Sequence, residues 1–452
     1  MDHSKQLGEE KVSKLILKFS IPAIIGMLVN GLYNIVDRVF VGRGVGELAL
    51  SSVSIVFPIP LVLMAFGMLI GLGATSLVSI RLGQNKREEA QQIVGNAFVL
   101  LVIINLIISL VCFIFMDSIL RLLGASPDVM PYARDFVSVL LWGAVFQGVG
   151  FGLNNLIRAE GNPRTAMLTM LLGAGLNIVL NPIFIFGLGM GIKGSALATV
   201  ISQFVSAIWV MAYFFGKRAM LKITPKSMMI SKSITQGIVS IGFSPFVMQL
   251  VGSVIMVLLN RQLLVYGGDE AIAAMTVINS VVSLIVMPAF GINQGIQPII
   301  GFNYGALQYG RVRQAVNYGM VGATLIMVLG FLLVEIFPHA LMGIFVDATE
   351  KVALVNLGAE GMRIFLFALP VIGFQFIGSG YFQATSQPRK SLFLSLSRQI
   401  IFLVPLIYIL PKLFGLGLDG IWLSGPISDT LSALVTFVMI QKDFQKLKIA
   451  VA

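Results

Sequence analysis

Long apolar blocks separated by short polar punctuation dominate the chain. Twelve blocks are long enough to cross about 30 Å of hydrocarbon as helices, and they fall at 15–41, 49–80, 92–116, 132–157, 165–187, 192–215, 235–265, 271–303, 313–337, 352–382, 391–411 and 416–440. The punctuation is written twice, at a spacing of roughly 220 to 226 residues. Asp37-Arg38 recurs as Asn260-Arg261, and Ala65-Phe66-Gly67 with Gly71 recurs as Ala289-Phe290-Gly291 with Gly295. Gly161-Asn162-Pro163-Arg164 returns as Ser386-Gln387-Pro388-Arg389, and the segment Gly189–Gly194 as Gly415–Gly420. Six blocks per half is an even number, so both halves enter and leave on one side. The repeats are therefore parallel, related by an axis along the membrane normal, with a central pathway between them.

This pattern predicts an all-α integral membrane protein with residues 1–216 as an N-terminal lobe, 217–233 as a basic linker and 234–452 as a C-terminal lobe. Composition agrees: 57% of residues are hydrophobic and 11% charged, against a soluble average of about 25% charged. If the N-terminus is inside, 21 of the 31 Lys and Arg residues fall on that side, the bias expected of cytoplasmic loops. Both termini are thus expected in the cytoplasm. The net charge of +11 follows from topology and anionic lipid, so nucleic-acid binding is not needed. The lysines before the first block suggest a signal peptide, but no small-residue cleavage site follows, and the block reads as a first span. The lone Cys112 makes neither a disulfide framework nor a metal cluster.

Two motifs mislead. Gly189–Gly194 fits the dinucleotide fingerprint G-x-G-x-x-G, which requires a preceding strand; here both copies sit between spans, and a tight helix-hairpin turn is the better reading. His3 and His339 lie outside the spans without ligands at metal spacing. The 22 Met residues suit an adaptable cavity, although plain apolar packing accounts for them more simply.

Polar residues inside a membrane are costly, so their spacing carries information. Asn30, Tyr33, Asn34 and Asp37 share one face of the first span. Gln147, Asn154 and Arg158 share a face of the fourth, Asn177 and Asn181 lie at i, i+4 on the fifth, and Ser195, Thr199, Ser202 and Ser206 mark the sixth. These stripes must turn toward one another or toward water. A carboxylate such as Asp37 must then be protonated, ion-paired or bound to a cation. Pairing with Arg38 or Arg43 at the interface is the alternative; the asparagine stripe favours a functional role. The second half has Asn260 at the matching place, so coupling chemistry is expected in one half only. Arg398 and Asp429 sit at similar depth in the last two spans and are expected to form a buried ion pair that holds the hairpin or gates the pathway.

Taken together, Ser20-Ile21-Pro22, Tyr33 with Asp37, Arg158 through Pro163, and Asn177 with Asn181-Pro182 resemble the multidrug and toxic compound extrusion (MATE) family. Gly291, Asn293-Gln294-Gly295, Gln297-Pro298 and Tyr381 through Ala384 are similar to its bacterial branch typified by MepA-like and DinF-like exporters. The resemblance implies two six-helix lobes around a V-shaped cavity in the bacterial cytoplasmic membrane, a monomer without cofactors, and export of cationic, amphipathic compounds driven by H+ or Na+. It implies a cation site of Asp37, Tyr33, Asn154, Asn177 and Thr199, completed by Asn181 where the family carries Asp, and a bend at Pro22 that responds to protonation. Sodium would sit at Asp37, Asn177, Asn181 and Thr199. Losing one carboxylate weakens any sodium site by several kcal/mol even at an effective dielectric of about 20, which leans the reading toward protons. Candidate cavity residues are Asn30, Asn34, Gln147, Asn260, Gln294 and Gln383.

Two other classes compete. A lipid-precursor flippase or metabolite exporter would want a cavity rich in Arg and Lys for phosphate, and the basic residues within spans are few. An enzyme would need a nucleophile and base or a metal cluster at membrane depth, which this chain does not supply.

Overall fold

In a computed structural model, described over residues 5–216, 219–346 and 351–449, all regular structure is helical. His3, Lys217 and Arg218 lie outside the described residues, as does the side chain of Asn34. The first half comprises α1 (Lys5–Glu9), α2 (Val12–Gly44), α3 (Glu47–Val56), α4 (Pro58–Gly83), α5 (Arg87–Ile114), α6 (Met116–Leu122), α7 (Met130–Trp142), α8 (Ala144–Ala159), α9 (Pro163–Pro182) and α10 (Gly191–Phe215). The second comprises α11 (Lys232–Gly305), α12 (Tyr309–Ile336), α13 (Pro338–Gly343), α14 (Val352–Phe365), α15 (Leu369–Ala384), α16 (Pro388–Leu396), α17 (Val404–Ile409) and α18 (Gly417–Ile449).

Among the described residues nine helical stretches are long and apolar enough to cross a membrane, and two further crossings are bent pairs, α7 with α8 at 52° and α14 with α15 at 51°. The 74 residues of α11 are two helices that meet at Gly268, where φ is 65°. Among the described residues this accounts for all twelve expected crossings. The bends were not apparent in the apolar pattern, which runs through them. Their local causes are Gly143 between α7 and α8 and Pro370 in the first turn of α15, since proline cannot continue a preceding helix.

Each short hairpin at the end of the bundle near α1 closes in the same way. Asn85, Gly161, Leu307 and Ser386 take positive φ of 59°, 92°, 59° and 58°. The next residue's N–H returns to a carbonyl of the helix just ended: Lys86 to Arg81 at 2.8 Å, Asn162 to Ile157 at 3.1 Å, Gln308 to Asn303 at 2.8 Å and Gln387 to Phe382 at 2.8 Å. These are helix stops of the left-handed type, and their recurrence is the internal repeat made visible. At the opposite end Gly189 and Gly191, then Gly415 and Gly417, are also left-handed, so the G-x-G-x-x-G segments are hairpin turns with no strand before them.

Contact between the halves runs chiefly through α2 and α4 against α11. It is reciprocal: a Cβ on Gly73 would overlap the Ile238 carbonyl and one on Gly242 the Leu69 carbonyl, while Gly83 abuts Phe302 and Gly305 abuts Ile80. Glycine is required there because the backbones touch. A single apolar core, from Leu7 to Phe444, joins the halves at the end where α1 lies, and a smaller cluster around Val41, Ile185 and Ala196 packs the far end of the first half. Residues 219–231 of the linker are tied down on that first half by Asn96, whose amide donates to the Ser227 and Met229 carbonyls at 3.1 and 3.0 Å.

Candidate functional site

Asp37 lies seven residues before the end of α2 at Gly44, about 10 Å of helix rise from it. Two neighbours hold its Oδ1: the Asn181 amide donates at 2.7 Å and the Ser195 hydroxyl at 2.9 Å. Asn181 also donates to Asn177 Oδ1 at 2.9 Å, and Asn177 donates to Thr199 Oγ1 at 3.1 Å. The result is a continuous chain from the first span through the fifth to the sixth. Helix periodicity explains it locally: Asn177 and Asn181 are one turn apart on α9, and Ser195 and Thr199 are one turn apart on α10. Past Asn181, Pro182 ends α9 and a π-helical turn, Ile183–Gly187, follows; such turns are frequent at functional sites.

No ion pair to Asp37 forms among the described residues. The Arg38 guanidinium instead lies over the Phe57 ring, 5.1 Å from its centroid. Asn181 is fully buried and its Oδ1 has no partner. Asn181 turns its N–H groups to both Asp37 and Asn177, so the carboxylate is held by neutral donors while the amide oxygen is left as a buried acceptor. All the groups assembled are oxygen or amide ligands with a single formal charge, so a sodium ion would also have donors here, provided Asn181 turned its oxygen toward Asp37.

The other expected site residues are distributed differently. Tyr33 is half-buried one turn before Asp37 on α2. Asn154 points elsewhere: with its amide turned so that both ends are satisfied, it donates to the Ala166 carbonyl at 3.1 Å and accepts from Arg158 at 3.3 Å. Pro22 sits inside α2, which continues through it as one helix. Asn30, Gln147 and Asn260 are half-buried. Gln294 and Gln383 are buried, the first accepting from Arg158 at 2.6 Å and the second from Gln297 at 3.4 Å. Arg398 and Asp429 form an ion pair with Nε 2.5 Å from Oδ1.

Two features escaped the sequence pattern. Ser195 stood in the sixth-span stripe without a role; its place four residues before Thr199 is the signal that both face α9. Arg158, 3% exposed, spans the halves and among the described residues meets neutral partners, including Asn155 Oδ1 at 2.8 Å and Gln294 Oε1 at 2.6 Å. Nothing in sequence links positions so far apart.

A family model described as MatE matches residues 22–183 and 240–409 of the chain. The multidrug export protein MepA of Staphylococcus haemolyticus (strain JCSC1435) is 28% identical over 432 residues, 96% of this chain and 94% of that protein. MepA of Staphylococcus aureus (strain MRSA252) is 28% identical over 95% of this chain and 93% of its own. Among solved structures, MATE in complex with MaL6 superposes with a TM-score of 0.93 at 29% identity, covering 98% of each chain. MATE in the bent conformation gives 0.93 at 28% identity over 100% of this chain and 99% of that one, and MATE in the straight conformation 0.92 at 30% identity over 98% of each.

Proposed function

Because the chain belongs to the MatE family, and is a multi-pass membrane transporter rather than an enzyme, we propose that it is a secondary active multidrug exporter that expels cationic, amphipathic compounds in exchange for protons. MepA, with which it aligns nearly end to end, is named as a multidrug export protein. The observation that carries the coupling is the bonding of Asp37 to Asn181 and Ser195 without any basic partner among the described residues.

In this reading the two halves alternate in access to the two sides, with both termini cytoplasmic and the chain acting as a monomer. In the state described here the halves meet at the end near α1, held by the glycine contacts of α4 and α11 and by Arg158 on Gln294. An external proton reaches Asp37 from the opposite end. Protonation removes the charge that Asn181 and Ser195 solvate, and the oxygen-rich chain to Thr199 rearranges. Because α2 also packs on α11, a shift of α2 is felt by the other half. Drug is released outward, and the proton leaves on the cytoplasmic side once the halves have exchanged access. One charge moving inward across roughly 100 mV supplies about 2.3 kcal/mol, near a fifty-fold concentration ratio for a neutral exchange partner; a monovalent cation exchanged one for one with a proton moves no net charge and is driven by the pH difference.

Efflux of ethidium from proteoliposomes under an imposed proton gradient, and separately a sodium gradient, tests the proposal. Proton-driven efflux that is lost in Asp37→Asn is the expected result. Efflux unchanged in the variant, or driven by sodium alone, would overturn the coupling assigned to Asp37.

A further inference from the structure

We propose that the linker between the halves is a membrane-surface anchor, in which Met229 and Ile230 enter the acyl edge of the leaflet while Lys222, Lys226 and Lys232 bind anionic phospholipid headgroups. A basic segment of this kind, read from sequence alone, is a loop lying free in the cytoplasm. The inference takes from the proposed function only that the end of the bundle near α1 faces the cytoplasm.

The depth of the apolar pair follows from a ladder of contacts along α5. The Arg87 guanidinium, at the start of that helix, donates to the Met220 carbonyl at 2.8 Å. One turn on, the Gln91 amide reaches Thr224 Oγ1 at 3.5 Å. Asn96, fully buried, donates to the Ser227 and Met229 carbonyls and accepts from the Ser231 N–H at 2.8 Å. The linker therefore climbs α5 from Arg87 to Asn96, about 13 Å of helix rise. The first turns of α5 carry Arg87, Glu88, Glu89, Gln91 and Gln92, and from Ile93 onward the helix reads as a span. Asn96 stands one turn inside that boundary. α11 begins its own span at the same level, since Lys232, its first residue, follows Ser231. Met229 and Ile230 thus lie where headgroups give way to hydrocarbon, the depth at which amphipathic segments rest.

The distribution of side chains fits a lipid neighbour. Ala219, Leu221 and Ile223 are buried against the first half, an alternation that leaves Lys222 outward. Glu160 fixes this stretch by accepting from the Met220 and Leu221 N–H groups. A tight turn follows, the Ser227 N–H returning to the Thr224 carbonyl at 2.9 Å, and the Ser227 side chain is buried. Directly after it Met229 and Ile230 are turned outward, 73% and 54% exposed. A segment packed for water would hide those two and expose the serine. The three bonds of Asn96 fix the backbone on either side of the pair, so its outward direction is built in.

Charge makes the partner anionic. Lys222, Lys226 and Lys232 are exposed, and among the described residues none of them forms an ion pair. Of the neighbouring acids, Glu89 pairs with Arg81 and Lys86, Glu160 is occupied by Tyr213 and the linker backbone, and Glu88 is the exposed carboxylate that the three lysines outnumber. Long lysine stems carry the ammonium out to the headgroups while the apolar pair stays below them. Each such lysine strengthens association with an anionic surface by about fivefold.

The test places a fluorophore on the thiol of Met229→Cys, in a Cys112→Ser background of the full-length protein, in vesicles of equimolar phosphatidylcholine and phosphatidylglycerol. One lipid at a time carries bromines high on its acyl chains, and aqueous iodide is the alternative quencher. Strong quenching by brominated lipid and little by iodide is the expected result. Phosphatidylglycerol should be the better quencher by about fivefold or more, and Lys222→Gln/Lys226→Gln/Lys232→Gln should abolish that preference. Ile230→Cys gives the same reading from the neighbouring position if labelling at Met229 disturbs folding. Quenching by iodide and not by lipid would overturn the anchor. So would equal quenching by the two lipids, or a preference that survives the three substitutions. A preference lost equally in Lys442→Gln/Lys446→Gln, exposed lysines near the end of α18, would mean that net charge and not this segment selects the lipid. The readout involves no transport, so its failure leaves the role of Asp37 untouched.

Discussion

Arg158 of the first half donates to Gln294 of the second across 2.6 Å, at a point where both side chains are buried. A buried guanidinium that meets amide and thioether acceptors, with no carboxylate among the described residues, is tolerable while the halves hold those acceptors in place. It also gains from hydration when they separate. The contact is therefore poised, and small changes in the acceptor should tip it.

Gln294→Glu supplies a carboxylate to that cation and should hold the halves together. Gln294→Ala removes the acceptor and should loosen them, at a cost of about 1–3 kcal/mol for the unpaired donor. Ser20, 4% exposed and packed on Gly295 of the other half, reports the seam. With Ser20→Cys in a Cys112→Ser background, maleimide labelling should slow in the Glu variant and quicken in the Ala variant, and drug efflux should fall in the Glu variant.

Asn181→Asp places a second carboxylate 2.7 Å from the Asp37 oxygen that the amide now serves. The added unit charge attracts a cation at about 4 Å by about 4 kcal/mol at an effective dielectric of 20. Ethidium efflux by this variant should become responsive to a sodium gradient. An unchanged ion preference would mean that charge count at this site does not choose the ion.

Glu160 lies outside the spans, 1% exposed, and accepts from Tyr213 Oη at 2.7 Å, Leu221 N at 2.8 Å and Met220 N at 3.3 Å. Burial pushes its carboxyl up to about 7, against the opposing pull of those donors and of Arg87. A carboxyl raised above its unfolded value binds more protons folded than unfolded, so its contribution favours folding at acid pH and is lost as pH rises from 4.5 through about 7. The unfolding midpoint in detergent should therefore drop between about pH 5 and about pH 8 in wild type, by a free energy on the order of 3 kcal/mol, and Glu160→Gln should flatten that part of the profile.

Gly242→Ala introduces a Cβ into the Leu69 carbonyl, whereas at Gly175, inside α9, an added methyl would meet nothing within 4 Å. The first should cost about 3 kcal/mol or more, since overpacking against rigid backbone has no side chain to move. Gly175→Ala should be neutral or stabilising by up to about 1 kcal/mol. Thermal unfolding of the two variants side by side measures the seam between the halves against an ordinary helix position.

The number of crossings was legible in the chain, because hydrocarbon thickness fixes how long an apolar run must be. So was the internal repeat, since Asp37 and Asn260 or the paired turns at Gly161 and Ser386 keep their register. Arg398 with Asp429 was legible within a hairpin, because a short turn fixes the relative depth of adjacent helices, whereas Asn177 with Thr199 came from the family resemblance. The remaining contacts follow from how the helices pack. Asn154 shares the polar character of Asn177 but rotates toward Arg158 and Ala166, and Ser195 reaches Asp37 from 158 residues away. Arg158 finds Gln294 136 residues on. Depth is set by chain length, but rotation about each helix axis is set by packing against neighbours distant in sequence, and no local period encodes it.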